Sequence, residues 1–370
     1  MSPAFRLSPA FRHAPRGGRG WPGRAAAALA GGAAALVGLP LVVGEYGLGL
    51  LTEMLAFAVF AMSLDLLLGF AGLSSLGHAA FFGLGGYTVG LLARHGGFES
   101  VAGLGVAVLA AVLVAAVFAP LVLRASGAYF LMLTLALGQL LYGMAWLWRP
   151  VTGGDDGLSG IPRPQLPFWG GLLYDDRAFY YFALAVAGLA AASMVWVVRS
   201  SFGLALRGIR DNEARMTSLG YHGWLYKYAV YVLAAGYAAL GGALYAYYFG
   251  YISPHHLGWA LSGEAMVMVI LGGAGTLWGP VLGAVLVILL RYEVSSYTER
   301  WLTVLGLVFV LVVLFAPQGV AGMLRRFSTR LGPLGRAGLQ AQQAGSEAAV
   351  VAAPLRPPLQ AAPGRKRAGW

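Results

Sequence analysis

Apolar runs of about 20 residues recur along the chain from Ala25 to Ala316, separated by short polar breaks. At about 1.5 Å per residue, such a run crosses a hydrocarbon layer about 30 Å thick as a helix. The runs are continuous rather than alternating, which argues for helices that satisfy their own backbone hydrogen bonds and against a barrel. They fall at Ala25–Val43, Leu48–Phe70, Ala79–Leu92, Val101–Leu123, Ala128–Leu147, Ala178–Val198, Tyr226–Phe249, Leu261–Leu271, Pro280–Leu290 and Trp301–Ala316. The expected fold is an all-α polytopic membrane protein with about ten transmembrane or partly re-entrant helices. The third, eighth and ninth runs are short and read as interrupted or re-entrant, a geometry tolerated where protein surrounds the break.

Charge orients these spans. The connection Trp148–Arg177 mixes Arg149, Arg163 and Arg177 with Asp155, Asp156, Asp175 and Asp176, whereas 199–225 carries Arg199, Arg207, Arg210 and Arg215 against Asp211 and Glu213. Basic excess marks the cytoplasmic side, so the first connection is expected outside and the second inside, with both termini cytoplasmic in an inner membrane.

Composition agrees with this picture: 59% of the 370 residues are hydrophobic and 11% charged, against about 25% charged in a soluble domain. The net charge of +11 sits in the arm 1–24, in short loops and in the segment 321–370. It reads as flanks attracted to anionic membrane lipid rather than a folded groove for nucleic acid. The arm is expected to be cytoplasmic, the permeation core to occupy 25–320, and the Ala-, Gly-, Pro- and Gln-rich 321–370 to be a disordered tail. With no cysteine, disulfides and thiolate metal sites are excluded.

The most informative polar stretch is SFGLALRGIRDNEARMTSLG at 201–220. Leu204, Ile209, Ala214 and Leu219 are candidate apolar anchors, and Arg207, Arg210, Asp211, Asn212, Glu213 and Arg215 a polar face. As one or two short helices ended by Gly220, it either docks on another protein or lies on lipid headgroups; the residues leave both open. If it is one helix, Arg210 and Glu213 share a face.

This stretch resembles the cytoplasmic coupling loop of the LivM-type branched-chain amino acid permeases. The resemblance extends over about residues 50–320, through GFAGLSSLGHAAFFGLGGY at 69–87, YFLMLTLALG at 129–138, TGGDDGLS at 152–159 and LGGAGTLWGP at 271–280. Met216 and Thr217 depart from it, standing where relatives commonly have alanine. The resemblance implies a non-catalytic translocation subunit of an ATP-driven importer. Arg207, Arg210, Asp211, Asn212, Glu213, Ala214 and Gly220 would couple it to an ATPase. It also implies a second LivH-like permease subunit, two cytoplasmic ATPase subunits and a periplasmic substrate-binding protein. ATP and Mg would belong to those partners, with no cofactor bound here. Candidate translocation or helix-junction residues are Gly83, Gly86, Tyr129, Thr134, Gly153, Gly154, Gly272 and Gly273. Glycines there serve close helix packing or substrate passage alike.

Other polar residues are weighed singly. Asp65 and Glu264 lie in or beside apolar spans, where a lone charge is costly. Asp65 reads as a hydrogen-bonded structural group, and Glu53 lies near a helix start. His78 reads as ordering a junction, the pair His255 and His256 completes no zinc set, and Ser74 and Ser75 sit in no nucleophile motif. A P-loop needs lysine between glycine and serine or threonine, yet the lysines are Lys227 between tyrosines and Lys366 between arginines. Related permeases handle urea or short amides, and an ion-coupled carrier or a membrane enzyme are the other classes.

Overall fold

The computed structural model describes residue 32 and residues 36–96, 100–165, 172–297, 300–315 and 319–322. The expected arm at 1–24, most of the first span and nearly all of the tail lie outside them.

Each remaining expected span is a helix. The first labelled helix, α1 (Glu45–Asp65), runs on into a π-helical turn, Leu66–Ala71, ended by Gly72 with φ +74. An irregular stretch, 72–78, leads to α2 (Ala79–Gly96), followed by α3 (Ala102–Val122) and α4 (Ala128–Leu147). After a connection containing β1 (Leu158–Ser159) come α5 (Asp176–Arg199), the short α6 (Ser201–Asp211) and α7 (Glu213–Ser218), and α8 (Gly223–Phe249). The order closes with β2 (Tyr251–Ile252), α9 (Trp259–Gly272), α10 (Trp278–Ser295) and α11 (Trp301–Phe315).

Among the described residues, six helices are long and apolar enough to cross a membrane: Glu45–Ala71, α3, α4, α5, α8 and α10. The expected ninth span is therefore longer than the sequence suggested, because Trp278, Gly279 and the polar turn Arg291–Ser295 extend it at both ends. The eighth, α9, is short at 14 residues. The third, α2, is continuous, and the interruption lies before it.

The helices differ in depth. In its most apolar stretch Glu45–Ala71 is 89% buried and α8 is 67% buried, whereas α3, α4 and α5 reach only 22–28%. The first two form the centre. Close approach there depends on small residues: a Cβ on Gly85 of α2 would overlap the Ala239 carbonyl, and one on Gly242 of α8 would overlap the Phe82 carbonyl. In lipid no hydrophobic force separates helix from solvent, so such backbone approach and dispersion hold helices together.

The peripheral helices invert the soluble pattern. Ala107, Ala111, Ala115 and Ala119 form a buried seam along α3 while Leu109, Leu113, Val117 and Leu121 face outward. On α4 the inward stripe is Phe130, Thr134, Gly138 and Ala145, with Met132, Leu140, Met144 and Leu147 outside. Spacing of four residues brings the small groups onto one face.

At one end, β1 and β2 pair antiparallel, Leu158 with Ile252 and Ser159 with Tyr251. Arg163 pairs with Asp176 there and lies 5.4 Å from the Phe179 ring and 5.3 Å from the Tyr248 ring. These contacts tie the connection before α5 to the start of that helix and to the end of α8.

Candidate functional site

The stretch 201–220 folds as two helices, not one. Ser201 to Asp211 is helical, but Asn212 is extended (φ −162) and its side chain accepts the Arg215 amide at 3.0 Å, capping α7. Arg210 and Glu213 consequently share no helical face, correcting that expectation. Gly220 ends the pair at φ +88, a left-handed position that glycine occupies without Cβ strain. Met216, a departure from the family pattern, lies over Gly208, where a Cβ would come within 2.7 Å of its sulfur. It closes α7 back onto α6.

The apolar anchors also differ from the sequence reading. Ala205, Leu206 and Ile209 are buried, but Leu204 is 70% exposed, Leu219 67% exposed, and Ala214 exposed. Asp211, Asn212, Glu213 and Arg215 are exposed beside them. The pair thus presents a mixed apolar and polar surface. Glu213 is held by Lys227 at the start of α8, whose Nζ donates to both carboxylate oxygens at 2.7 Å.

Arg207 and Arg210 point the other way. Arg207 lies 4.9 Å from the Phe70 ring, half-buried, and burial pulls its guanidinium below the usual arginine range. Arg210 donates to the Gly69 carbonyl, with Asp211 as a second partner at 3.3 Å. A Cβ on Gly72 would stand 2.8 Å from the Arg210 Cγ. Both arginines therefore clamp the π-helical turn at the end of α1.

That turn also meets the α9–α10 junction. Asp65, fully buried, accepts the Gly275 amide at 2.6 Å and the Leu277 amide at 3.0 Å. Gly272, Gly273, Gly275 and Gly279 let the backbone fold this tightly. Gly273 and Gly275 have φ of +112 and +80, and a Cβ on Gly272 would overlap the Gly279 carbonyl. Gly275 stands in the loop and Gly279 and Gly283 in α10, so this stretch is a tight helix junction. Asp65 supplies the acceptors these amides lack, the structural role the sequence suggested.

The other candidates scatter. Gly83 packs under Leu257 and the His256 backbone, Gly86 under Ile252. Gly153 and Gly154, at φ +79 and +64, build a tight turn against Gly157 and Arg149. Thr134 is buried and accepts the Leu76 amide at 3.3 Å, whereas Tyr129, on the same helix, is 77% exposed. His78 meets Ser63 at 2.8 Å and stacks on Phe60, ordering the start of α2. His255 stands 3.9 Å from Asp155, edge-on to Tyr142 and Trp146.

Sequence reasoning missed Arg291. It joins Glu53 of α1 and, at 3.3 Å, Glu264 of α9, while the Tyr292 hydroxyl donates to Glu53 at 3.0 Å. Glu53 and Glu264 are thus paired, not lone. An intramembrane carboxylate implies a cation nearby. That rule could have pointed to Arg291, had the apolar run not been ended one residue short of it.

An apolar helical bundle with six helices long enough to cross a membrane, and an amphipathic helix pair at one end clamped to its central helix, has the architecture of a multi-pass membrane protein. A family model described as "branched-chain amino acid transport system / permease component" matches residues 46–316, and the chain belongs to that family. It is similar to the high-affinity branched-chain amino acid transport system permease protein LivM of Escherichia coli (strain K12). The two are 28% identical over 310 residues, 78% of this chain and 73% of the relative. The protein of the same name from Salmonella typhimurium is 27% identical over the same shares. The autoinducer 2 import system permease protein LsrC of Salmonella paratyphi B is 30% identical over 161 residues, 41% of this chain and 43% of the relative. No solved structure matches the chain.

Proposed function

We propose that this chain is the transmembrane permease subunit of an ATP-driven importer for branched-chain amino acids. The carrying observation is the α6–α7 pair. Its outer surface, with Leu204, Asp211, Asn212, Ala214 and Leu219, is free for a partner, while its inner surface is fixed to the end of α1. A lipid-lying helix would need no such attachment. The lysine contexts leave ATP and Mg to two cytoplasmic ATPase subunits docked on that surface. A LivH-like permease would complete the pathway, and a periplasmic binding protein would deliver leucine, isoleucine or valine to the β1–β2 end. On this reading both termini and α6–α7 would lie in the cytoplasm, and the outward leucines of α3 and α4 against lipid or the second permease.

The test is reconstitution of the complete complex in liposomes with the binding protein. ATP-dependent leucine uptake, lost when the ATPase subunits are omitted, is expected. Autoinducer, urea and short amides as competitors assign the cargo. The Glu53–Arg291–Glu264 cluster gives an ion-coupled carrier a foothold, and uptake that persists without ATPase subunits would establish that reading instead.

A further inference from the structure

Gly69 is the meeting point of three elements that are distant in sequence. Its carbonyl is near the end of the π-helical turn, where the following amides turn elsewhere: Gly72 and Leu73 both donate to Leu67. The Gly69 oxygen is thus one of the orphan acceptors of a helix end, and Arg210 of α6 satisfies it. On the other flank, a Cβ added to Gly69 would overlap both the Gly275 backbone and the Asp65 carboxylate. A Cβ added to Gly275 would in turn stand 3.2 Å from the Gly69 oxygen and 3.7 Å from a guanidinium nitrogen of Arg210. Arg210 therefore touches the end of α1 and borders the α9–α10 junction, while Arg207 steadies the same turn through Phe70.

We propose that Arg210 is a positioning residue that carries displacement of the α6–α7 pair inward, to the π-helical turn at Gly69 and on to the Gly273–Leu277 junction through Asp65. This rests on the importer reading above, and it reassigns Arg210 from docking the ATPase to transmission within the chain. Each contact sets a side chain on a backbone group, Arg210 on Gly69 and Asp65 on Gly275 and Leu277, so a shift of α6 beyond the reach of the Arg210 side chain drags the turn or breaks the bond to Gly69. A single π-helical turn interrupts the regular hydrogen-bond ladder of a helix and is frequent at functional sites, and here it is the segment that Arg210 holds.

The experiment uses the complete reconstituted complex, reading ATPase copurification, ATP hydrolysis and leucine uptake together. Leu204→Asp on the exposed surface is expected to release the ATPase subunits. Arg210→Ala is expected to retain them and to keep hydrolysing ATP while uptake per ATP falls about tenfold, within the usual range of coupling effects. Arg210→Lys, which keeps the charge but loses the planar fork, is expected to fall about threefold. Release of the ATPase by Arg210→Ala, or an unchanged ratio in either arginine variant, overturns the proposal. A fluorophore on a cysteine at Thr276, the only cysteine this chain would have, reads the junction without touching Arg210. A signal that stays constant through ATP turnover overturns the proposal however the arginine variants fold. Failure of the wild-type complex to import leucine with ATP would instead overturn the importer reading.

Discussion

The guanidinium of Arg291 on α10 pairs with the carboxylate of Glu53 on α1, 238 positions away in the chain, and holds Glu264 of α9 as well. Three helices are pinned by one cation. Arg291→Met would take the cation from two carboxylates and leave Glu53 with the Tyr292 hydroxyl alone, and removing one partner of a buried pair typically costs about 3–5 kcal/mol. A clearly lowered unfolding temperature in detergent is expected. The triple variant Glu53→Gln, Glu264→Gln and Arg291→Met removes the charges together and should recover most of the loss. A triple variant as unstable as the single one would show that packing, not charge, is what Arg291 supplies.

Asp65 separates charge from shape at the junction. Asp65→Asn keeps one carbonyl acceptor but turns an N–H toward a backbone amide, whereas Asp65→Ala leaves both the Gly275 and Leu277 amides without an acceptor. Each orphaned buried donor costs about 1–3 kcal/mol. Alanine is therefore expected to lower thermal stability more than asparagine, and equal stability of the two would discount the carboxylate bonds.

Helix contact at the centre is set by glycine. Gly85→Ala and Gly242→Ala each drive a methyl into a backbone carbonyl of the facing helix, which no rotamer change can relieve. Gly188 of α5 has open space around it. The first two substitutions should sharply reduce folded protein recovered from membranes while Gly188→Ala matches wild type; intact recovery of Gly242→Ala would mean that α2 and α8 pack less closely.

Sidedness follows from charge. Ser159 and Ser218 are both exposed and lie on connections of opposite charge balance. Because the chain lacks cysteine, a cysteine at either site is a clean reporter. An impermeant thiol reagent in the periplasm should label position 159 and not 218. Labelling of both from one side would overturn the orientation.

The helices, their approximate ends and the family were legible in the sequence, because a hydrocarbon layer permits few backbone solutions and each leaves a long apolar run. The pairing of Glu53 and Glu264 with Arg291 was not. Their partners lie on helices whose neighbours are chosen by packing, and local composition holds no record of that choice. The same holds for Arg207 and Arg210: their spacing in a basic stretch showed that they are polar and near a membrane surface, but not which side of α6 they occupy.

What the sequence determined by itself, then, was local: a membrane-embedded helical chain, a polar helix pair between α5 and α8, and no P-loop to power it. Tertiary structure decided the direction of each polar side chain. It turned Arg210 inward because the end of α1 left a carbonyl without a partner at Gly69, and it left Leu204 outward because Ala205, Leu206 and Ile209 already filled the buried face. Hydrogen-bond satisfaction and close packing are properties of assembled neighbours, so only the fold could settle them.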